Sequence, residues 1–414
     1  MEDLLESCCG LDIHKESIVA CLLKGPVNTE LKPHSEIREF GTQLTELNAL
    51  RKWLGKHECH YVAMESTGIY WQPVYAVLET ALSDDMHLLV VNARHMKNVP
   101  GKKTDMRDAE WIATLLRAGL LKSSFVPERD IRDLRQFTRY RKALIRDITS
   151  QKNRVEKLLQ SNGFRLSSFL SDIFGSSGLA VMQQLVQVGS ISRQSLDQCL
   201  KARARQKADA ILSSLNGTLS LPQRSLLKMQ LAHLADLQAN LQEVEQAIRD
   251  DFTQFQGPIE LLDSIPGIDQ TAAYAILAEI GQDMSAFPTA QHLCSWAGLA
   301  PGNHKSANKQ KKQHVTPGNN YLKTILCEVA WVIASHKKLY LSNWYWRLKQ
   351  HTDAKRAIVA LARKLLVIIF AMLKSKSAYD ERKFEERKNA SDRKRVKRMV
   401  SELTRLGYAV SLAS

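Results

Sequence analysis

No two cysteines in this 414-residue chain are spaced Cys-x-x-Cys. That absence speaks against a structural zinc site. The seven cysteines present are Cys8, Cys9, Cys21, Cys59, Cys199, Cys294 and Cys327. An odd, scattered set fits reduced thiols in a cytosolic protein better than a disulfide framework. Uninterrupted apolar runs of membrane length are also missing. The most apolar stretch, AIVALARKLLVIIFAMLK, is broken by Arg363 and Lys364, so a buried helix is expected there and no membrane partner. The N-terminal MEDLLESCC is acidic and has no apolar signal run, so no secretory signal is expected. Internal repeats and long low-complexity segments are absent as well. These absences leave a soluble, cytoplasmic protein as the expectation.

Positive charge is what the chain has in excess. Lys and Arg number 58 against 43 Asp and Glu, a formal net charge of +15. Such an excess points to a polyanionic partner, nucleic acid first among them. The length exceeds what one simple core accommodates, so two or three domains are expected.

The first ~120 residues alternate between strand and helix patterns. CCGLDIHK and SIVACLLK read as adjacent strands joined by a tight turn at Lys15 and Glu16, and HSEIREF reads as a third. QLTELNALRKWLGK carries Leu44, Leu47, Leu50 and Leu54 at helical spacing. HYVAMEST is a strand ending at Glu65, IYWQPVYAVLETAL a helix, and HLLVVN an apolar strand of the kind buried in mid-sheet. A helix is expected from Thr104, its candidate N-cap, through DMRDAEWIATLLRAGL. The order βββαβαβα is that of an RNase H-like fold.

The middle of the chain changes period. Leu134, Arg141, Ile148 and Val155 recur every seven residues, as do Phe137, Leu144, Gln151 and Leu158. A second run has Leu227, Leu234, Leu241 and Ile248, with Leu237 and Val244 between. Both predict coiled-coil helices, paired within the chain or between subunits. NGFRLSSFLSDIFGSSG, between them, reads as a loop or hairpin. Further on, LLDSIPGIDQTAAYAILAEIG joins two helical patterns through a tight Gly turn, a helix-hairpin-helix-like element that can hold a phosphate. A loop rich in Gly, Asn and Lys follows, and helical patterns resume to about Lys374. From Lys374 to Arg398 the tail has 11 basic and 5 acidic residues, expected as a solvated helix or arm.

Four acids could carry chemistry. Asp12 lies in the first strand, Glu65 ends another, and Asp105 and Asp108 share a helix face three residues apart. In an RNase H-like sheet these positions converge. Carboxylates placed together repel one another unless a cation sits between them. Oxygen ligands select Mg²⁺ or Mn²⁺, and paired ions of this kind clamp the attacking and leaving oxygens of phosphoryl transfer. Alone, an Asp-x-x-Asp pair is usually a solvated helix face; Asp12 and Glu65 on their strands change that balance. Lys102, Lys103 and Arg107 adjoin the pair, and from Arg94 to Arg107 the only acid is Asp105. Such a segment can steer a phosphate backbone.

A second reagent lies far along the chain. Between Pro301 and Lys323 there is no acid. The segment holds His304, Lys305, Lys309, Lys311, Lys312 and Lys323 as candidate nucleic-acid contacts, and a single serine, Ser306. A serine hydroxyl is a weak nucleophile until it loses its proton or its developing charge is stabilised. On composition alone it is decoration.

GLDIHK, MESTGIYW and KKTDMRDAEWIA resemble the motifs of the DEDD-type bacterial insertion-sequence transposases and recombinases, a family that includes the Piv-type DNA invertases. The stretch IPGIDQTAAYAILAEIG…FPTAQHLCSWAGLAPGNHKS…GNNYLKTIL resembles that family's second domain, so the resemblance spans most of residues 7 to 375. It implies a RuvC-like metal domain over residues 1–126, a coiled-coil linker with an insertion over 127–258, a C-terminal serine transposase domain over 259–375 and a basic tail over 376–414. It implies a Mg²⁺-binding tetrad of Asp12, Glu65, Asp105 and Asp108, and Ser306 as a nucleophile forming a phosphoserine link to DNA. It further implies element-end and target DNA as substrates and a noncoding bridge RNA as guide. The expected assembly is a homo-oligomer, a dimer or a tetramer of paired dimers. Its active site is composite, with the RuvC-like domain of one subunit facing the serine of another. The expected place of action is the bacterial nucleoid. The chain departs from the family's pattern around Ser306, reading HKSANK and VTPGNN where members often have a double serine with Gly-Gly and ISKRGN. The alternatives are a metal-only junction nuclease, a DNA invertase without RNA guide, and a non-enzymatic nucleic-acid scaffold.

Overall fold

A computed structural model describes residues 4–27, 32–66, 68–80, 86–92, 108–215, 217–301, 305–306, 309–310, 315 and 317–407, with backbone alone at 202–203, 305–306, 309–310, 383–385 and 387–392. The chain divides into two compact units, Met1–Val126 and Pro127–Ser414.

The first unit is built on a five-stranded sheet of β1 (Ser7–Ile13), β2 (Ser17–Lys24), β3 (His34–Gly41), β4 (Tyr61–Glu65) and β5 (His87–Val91), in the order β3-β2-β1-β4-β5. β1, β2 and β3 pair antiparallel; β4 runs parallel to β1 and β5 parallel to β4. That is the RNase H-like topology expected from the strand pattern. The β1–β2 turn closes with the His14 amide donating to the Ser17 carbonyl at 2.9 Å. Two helices, α1 (Leu44–Lys56) and α2 (Trp71–Glu79), cover one face, and α3 (Asp108–Arg117) covers the other. α1 buries Leu47, Leu50, Trp53 and Leu54, whereas Leu44 stays exposed. One expectation is corrected here. HLLVV lies at the sheet edge, not its middle. Its apolar character comes from helices on both faces: Val90 packs into the core under α1 and α2, Val91 into the core under α3.

The second unit is helical, apart from a two-stranded pair among its described residues. Its spine is an antiparallel pair, α4 (Arg129–Ser161) and α8 (Leu221–Asp251). Their direction follows from two contacts: Arg141 pairs with Glu245, and further along Gln151 Nε2 donates to the Gln230 carbonyl at 2.9 Å. Both heptad runs thus meet within the chain, burying Leu134, Leu144, Val155, Leu227, Leu234 and Val244. Ser220 starts α8 with a reciprocal capping box with Gln223.

The stretch expected as a loop or hairpin is a loop up to Gly175, with one short helical turn at Leu166–Ser168, and it packs into a small cap. The cap's helices are α5 (Ser176–Val188), α6 (Arg193–Cys199) and α7 (Ala208–Ser213). Phe164, Leu166, Met182, Leu185, Leu196 and Ile211 share a core with Val155 and Leu159 of α4. The Ser and Gly residues of the stretch shape the turns that lead from α4 to α5. Beyond it come α9 (Gln256–Asp263), α10 (Gln270–Ile280), α11 (Ala290–Trp296), α12 (Asn320–Ser335), α13 (Tyr340–Lys349), α14 (Ala354–Ser375) and α15 (Glu381–Arg405). α14, the most apolar stretch, buries Leu361, Leu365, Leu366 and Ile369. Among the described residues no helix is long and apolar enough to cross a membrane.

Candidate active site

Strand parity places the first two acids. On β1, Cys9, Leu11 and Ile13 enter the core under α1 and α2, while Cys8 enters the core under α3. Gly10 and Asp12 share the parity of Cys8, so Asp12 belongs to the α3 face. On β4, Val62 and Met64 take the first face and Ala63 the second, which assigns Glu65 to the α3 face too. The parallel register sets Gly10 beside Ala63 and Leu11 beside Met64. One step further along that register, Asp12 comes beside Glu65.

The third acid is delivered by a glycine. A Cβ at Gly10 would lie 2.3 Å from the Ala109 carbonyl oxygen and 2.4 Å from the Ala113 amide nitrogen. The helix backbone therefore rests directly on strand backbone, and only glycine leaves the room. The far end of α3 is anchored by Arg117, whose guanidinium donates to the carbonyls of Glu6, Gly25 and Pro26 at 2.9–3.3 Å. Asp108, preceding Ala109, is thereby carried to the Asp12 end of β1.

The electrostatics agree. Burial is the largest influence on the Asp12 carboxyl and raises its pKa; His14 lowers it, and the charges of Asp108 and Glu65 raise it further. His14 Nε2 lies 3.2 Å from Asp12 Oδ2. Like charges on neighbouring elements add to the cost of ionising this carboxyl, and a cation bound beside it would relieve that cost. The donors are all oxygen, which fits Mg²⁺ or Mn²⁺ rather than a soft metal. Among the described residues, no group of three or more His, Cys, Asp or Glu side chains is arranged to hold a metal ion by itself. The fourth expected ligand, Asp105, lies outside the described residues, as do Lys102, Lys103, Arg107 and the Thr104 cap.

In the second unit, Ser306 sits in a two-residue strand, β6 (Lys305–Ser306), that pairs antiparallel with β7 (Lys309–Gln310), Ser306 opposite Lys309. His304, Lys311 and Lys312 lie outside the described residues. Lys323 is half-buried on α12. The two ends of the segment are stapled. Pro301 bridges Val315, the Asn319 amide donates to the Trp296 carbonyl at 3.1 Å, and a Cβ at Gly318 would lie 2.2 Å from the Gly298 amide nitrogen.

Beneath that staple is a set of residues that sequence reasoning missed. Glu279, in the apolar helix α10, is only 2% exposed. It accepts a fork from Arg139, Nε to Oε1 at 2.8 Å and Nη2 to Oε2 at 2.9 Å, and a bond from Asn319 Nδ2 at 2.6 Å. Asn319 in turn caps α12, its Oδ1 accepting from the Leu322 amide at 3.0 Å. Arg135 donates to the carbonyls of Ala278 and Glu279; burial brings its guanidinium down to about 10, against the opposing pull of Glu279. The signal that could have found this joint was a lone acid within the apolar run YAILAEI.

A sheet of RNase H-like topology, with Asp12 and Glu65 on the face that α3 covers, defines the class of the first unit, an α/β domain. Comparison with known proteins makes the class specific. A transposase family model of the DEDD type matches residues 9–162, and the model described as Transposase IS116/IS110/IS902 family matches residues 259–346. The chain belongs to this family of insertion-sequence transposases, and its enzyme class is that of a DNA transposase or recombinase. It is 27% identical over 310 residues to an uncharacterized 43.6 kDa protein of insertion element IS110 from Streptomyces coelicolor, covering 68% of this chain and 74% of that protein. It is 24% identical over 297 residues to the transposase for insertion sequence element IS1111A of Coxiella burnetii, covering 70% and 72%. A pilin gene-inverting protein of Moraxella bovis is 29% identical over 188 residues, 45% of this chain and 55% of that protein. The RuvC structure of Thermus thermophilus aligns with a TM-score of 0.22 at 12% identity, covering 28% of this chain and 99% of that one.

Proposed function

We propose that this chain is the recombinase of an insertion sequence, cutting and rejoining DNA with an acidic metal site and a serine nucleophile. The observation that carries the reading is the nearness of Asp108 and Glu65 to Asp12 on one sheet face, in a chain that matches the family over residues 9–162 and 259–346. Asp12, Glu65, Asp105 and Asp108 would hold Mg²⁺ or Mn²⁺. Such an ion, when bound, supplies Lewis acidity to phosphodiester oxygens. Ser306 supplies the attacking oxygen. Its Oγ forms a bond to phosphorus, one ester bond of the DNA backbone breaks, and the serine proton ends on the released strand hydroxyl. Rejoining reverses these changes with a new strand end. Lys102, Lys103 and Arg107, with the cations around Ser306, hold the phosphate backbone. A noncoding RNA from the same element serves as guide, and the protein works as a homo-oligomer in the bacterial nucleoid.

The division of labour matches four segments: the metal domain over 1–126, the linker with its insertion over 127–258, the serine domain over 259–375 and the basic tail over 376–414. The test is a strand-transfer assay with trapped products on a denaturing gel. Ser306→Ala is expected to abolish the covalent protein–DNA species. If recombination and that species survive unchanged, the serine role is wrong and a metal-only nuclease replaces it. Asp105→Asn and Asp108→Asn are expected to abolish Mg²⁺-dependent cleavage; full activity in either overturns the metal role.

A further inference from the structure

The second unit contains a cavity of about 620 Å³, lined by α4, α8, α10 and α12. Its volume is in the range of pockets that enclose a small organic ligand. Ile145, Ile248, Ala275 and Ile325 supply an apolar lining, and Tyr274 and Tyr321 also line it. Tyr274 is buried, whereas Tyr321 is partly exposed with the Arg139 guanidinium 4.4 Å from its ring centroid.

Charge in the cavity does not cancel. Its acids each have a cation: Glu279 with Arg139, Glu245 with Arg141 at 2.7 Å, and Glu328 with Lys142 at 2.6 Å. Arg146 and Arg249 remain, both exposed, and among the described residues neither makes an ion pair. Arg249 Nη2 donates to the neutral amide of Gln246 at 2.8 Å, which leaves its charge unmatched. Arg249 also acts on Tyr274: burial raises that phenol's pKa, and the Arg249 charge pulls it back. Two guanidiniums therefore border a pocket with an apolar and aromatic interior. The ligand that satisfies both features is a planar ring carrying a phosphate. Guanidinium forks match phosphate oxygens, and aromatic faces take bases from single strands, which duplexes keep stacked.

We propose that this cavity receives one unpaired nucleotide of a nucleic-acid strand, its base against Tyr321 or Tyr274 and its phosphate on Arg146 and Arg249. The proposal rests on the reading of the chain as a nucleic-acid enzyme, but it requires neither the metal site nor the serine. The strand is DNA with a base extruded from its duplex, or RNA with an unpaired base.

The experiment uses the full chain and fluorescently labelled 12-nucleotide strands: single-stranded DNA, single-stranded RNA and an abasic DNA strand with the same phosphates. Base-bearing strands are expected to bind at least ten-fold more tightly than the abasic strand. The double variant Arg146→Ala/Arg249→Ala and, separately, Tyr321→Ala are expected to remove most of that difference. Ile325→Trp, which fills the cavity, should do the same. Should that variant fold poorly, the double arginine variant, whose side chains are exposed, decides the matter. A stronger effect on RNA or on DNA supports the proposal and identifies the source strand. Unchanged base preference in the folded variants overturns it, as does equal binding of abasic and base-bearing strands. Asp108→Asn is expected to keep the preference while losing cleavage. A failure of the catalytic reading therefore registers in the cleavage assay, and a failure of the nucleotide pocket registers in binding.

Discussion

The two units treat buried carboxylates in opposite ways. In the first, Asp12 is partly desolvated and feels the charges of Asp108 and Glu65, with His14 at 3.2 Å as its counter-partner. In the second, Glu279 is buried more deeply yet receives a guanidinium fork and an amide. Burial of a charge is tolerable when hydrogen-bonded partners replace water, and costly when like charges are added. A cation bound among such like charges would relieve that cost. The comparison separates a joint, Glu279, from a candidate reaction site, Asp12. Depth of burial alone would have ranked them the other way.

The largest effect comes from breaking the first site. Asp12→Asn keeps the shape and removes the charge, so the proposed reaction is expected to lose about 10⁴-fold or more in rate. The same change at Glu279 should act on structure, with Glu279→Gln retaining much of the DNA affinity. A strand-transfer rate set beside a binding constant for each variant checks the contrast.

Next in size is the loss of the joint. Glu279→Ala strands Arg139 and Arg135 without their carboxylate; Arg139 is 38% exposed, so water takes up part of the loss and the cost is about 1–3 kcal/mol. Hydrogen exchange at the start of α12 should report it, because Asn319 both caps that helix and binds Glu279. If protection there does not change, Glu279 is not the joint. None of this was legible in the sequence. Arg139 and Glu279 stand 140 positions apart, and no periodicity links them. What was legible rests on local period. Strand alternation and the placement of Asp12 and Glu65 followed from two-residue spacing, and the α4–α8 seam from seven-residue spacing. The loop at the start of the small cap was legible from its Ser and Gly residues, but the cap's helices were not, because they are only 6 to 13 residues long, too short for a period to stand out.

Glycine contacts hold both regions, and they offer a matched pair of tests. Gly10→Ala would push α3 away from β1, and Gly318→Ala would push residue 318 away from Gly298. Each substitution overpacks backbone against backbone and should cost about 3 kcal/mol. Their consequences should differ. The first is expected to separate Asp108 from Asp12 and weaken metal binding, with the Ser306 segment unaffected. The second should leave metal binding intact. Metal titration by calorimetry on both variants distinguishes them, and equal metal affinity in Gly10→Ala would show that the α3 contact does not set the acidic site.

The smallest effect is on stability against pH, and its sign follows from the direction of the Asp12 shift. Burial, Asp108 and Glu65 raise its folded pKa above the unfolded value, with His14 opposing. Between those two values the folded chain holds more protons than the unfolded chain, so stability falls as pH rises through that window. Above it, ionised Asp12 carries a constant penalty; below the ordinary carboxylate range the penalty is gone. Metal-free Asp12→Asn should therefore be more stable than the parent at neutral pH, and the gap should close as pH falls through the carboxylate range. Both proteins are best compared with His14→Gln in place, so that imidazole titration does not enter the difference. Added Mg²⁺ should stabilise the parent and leave Asp12→Asn nearly unmoved. A gap that widens toward low pH would mean that Asp12 is held by favourable partners, as Glu279 is, and the contrast between the two units would collapse.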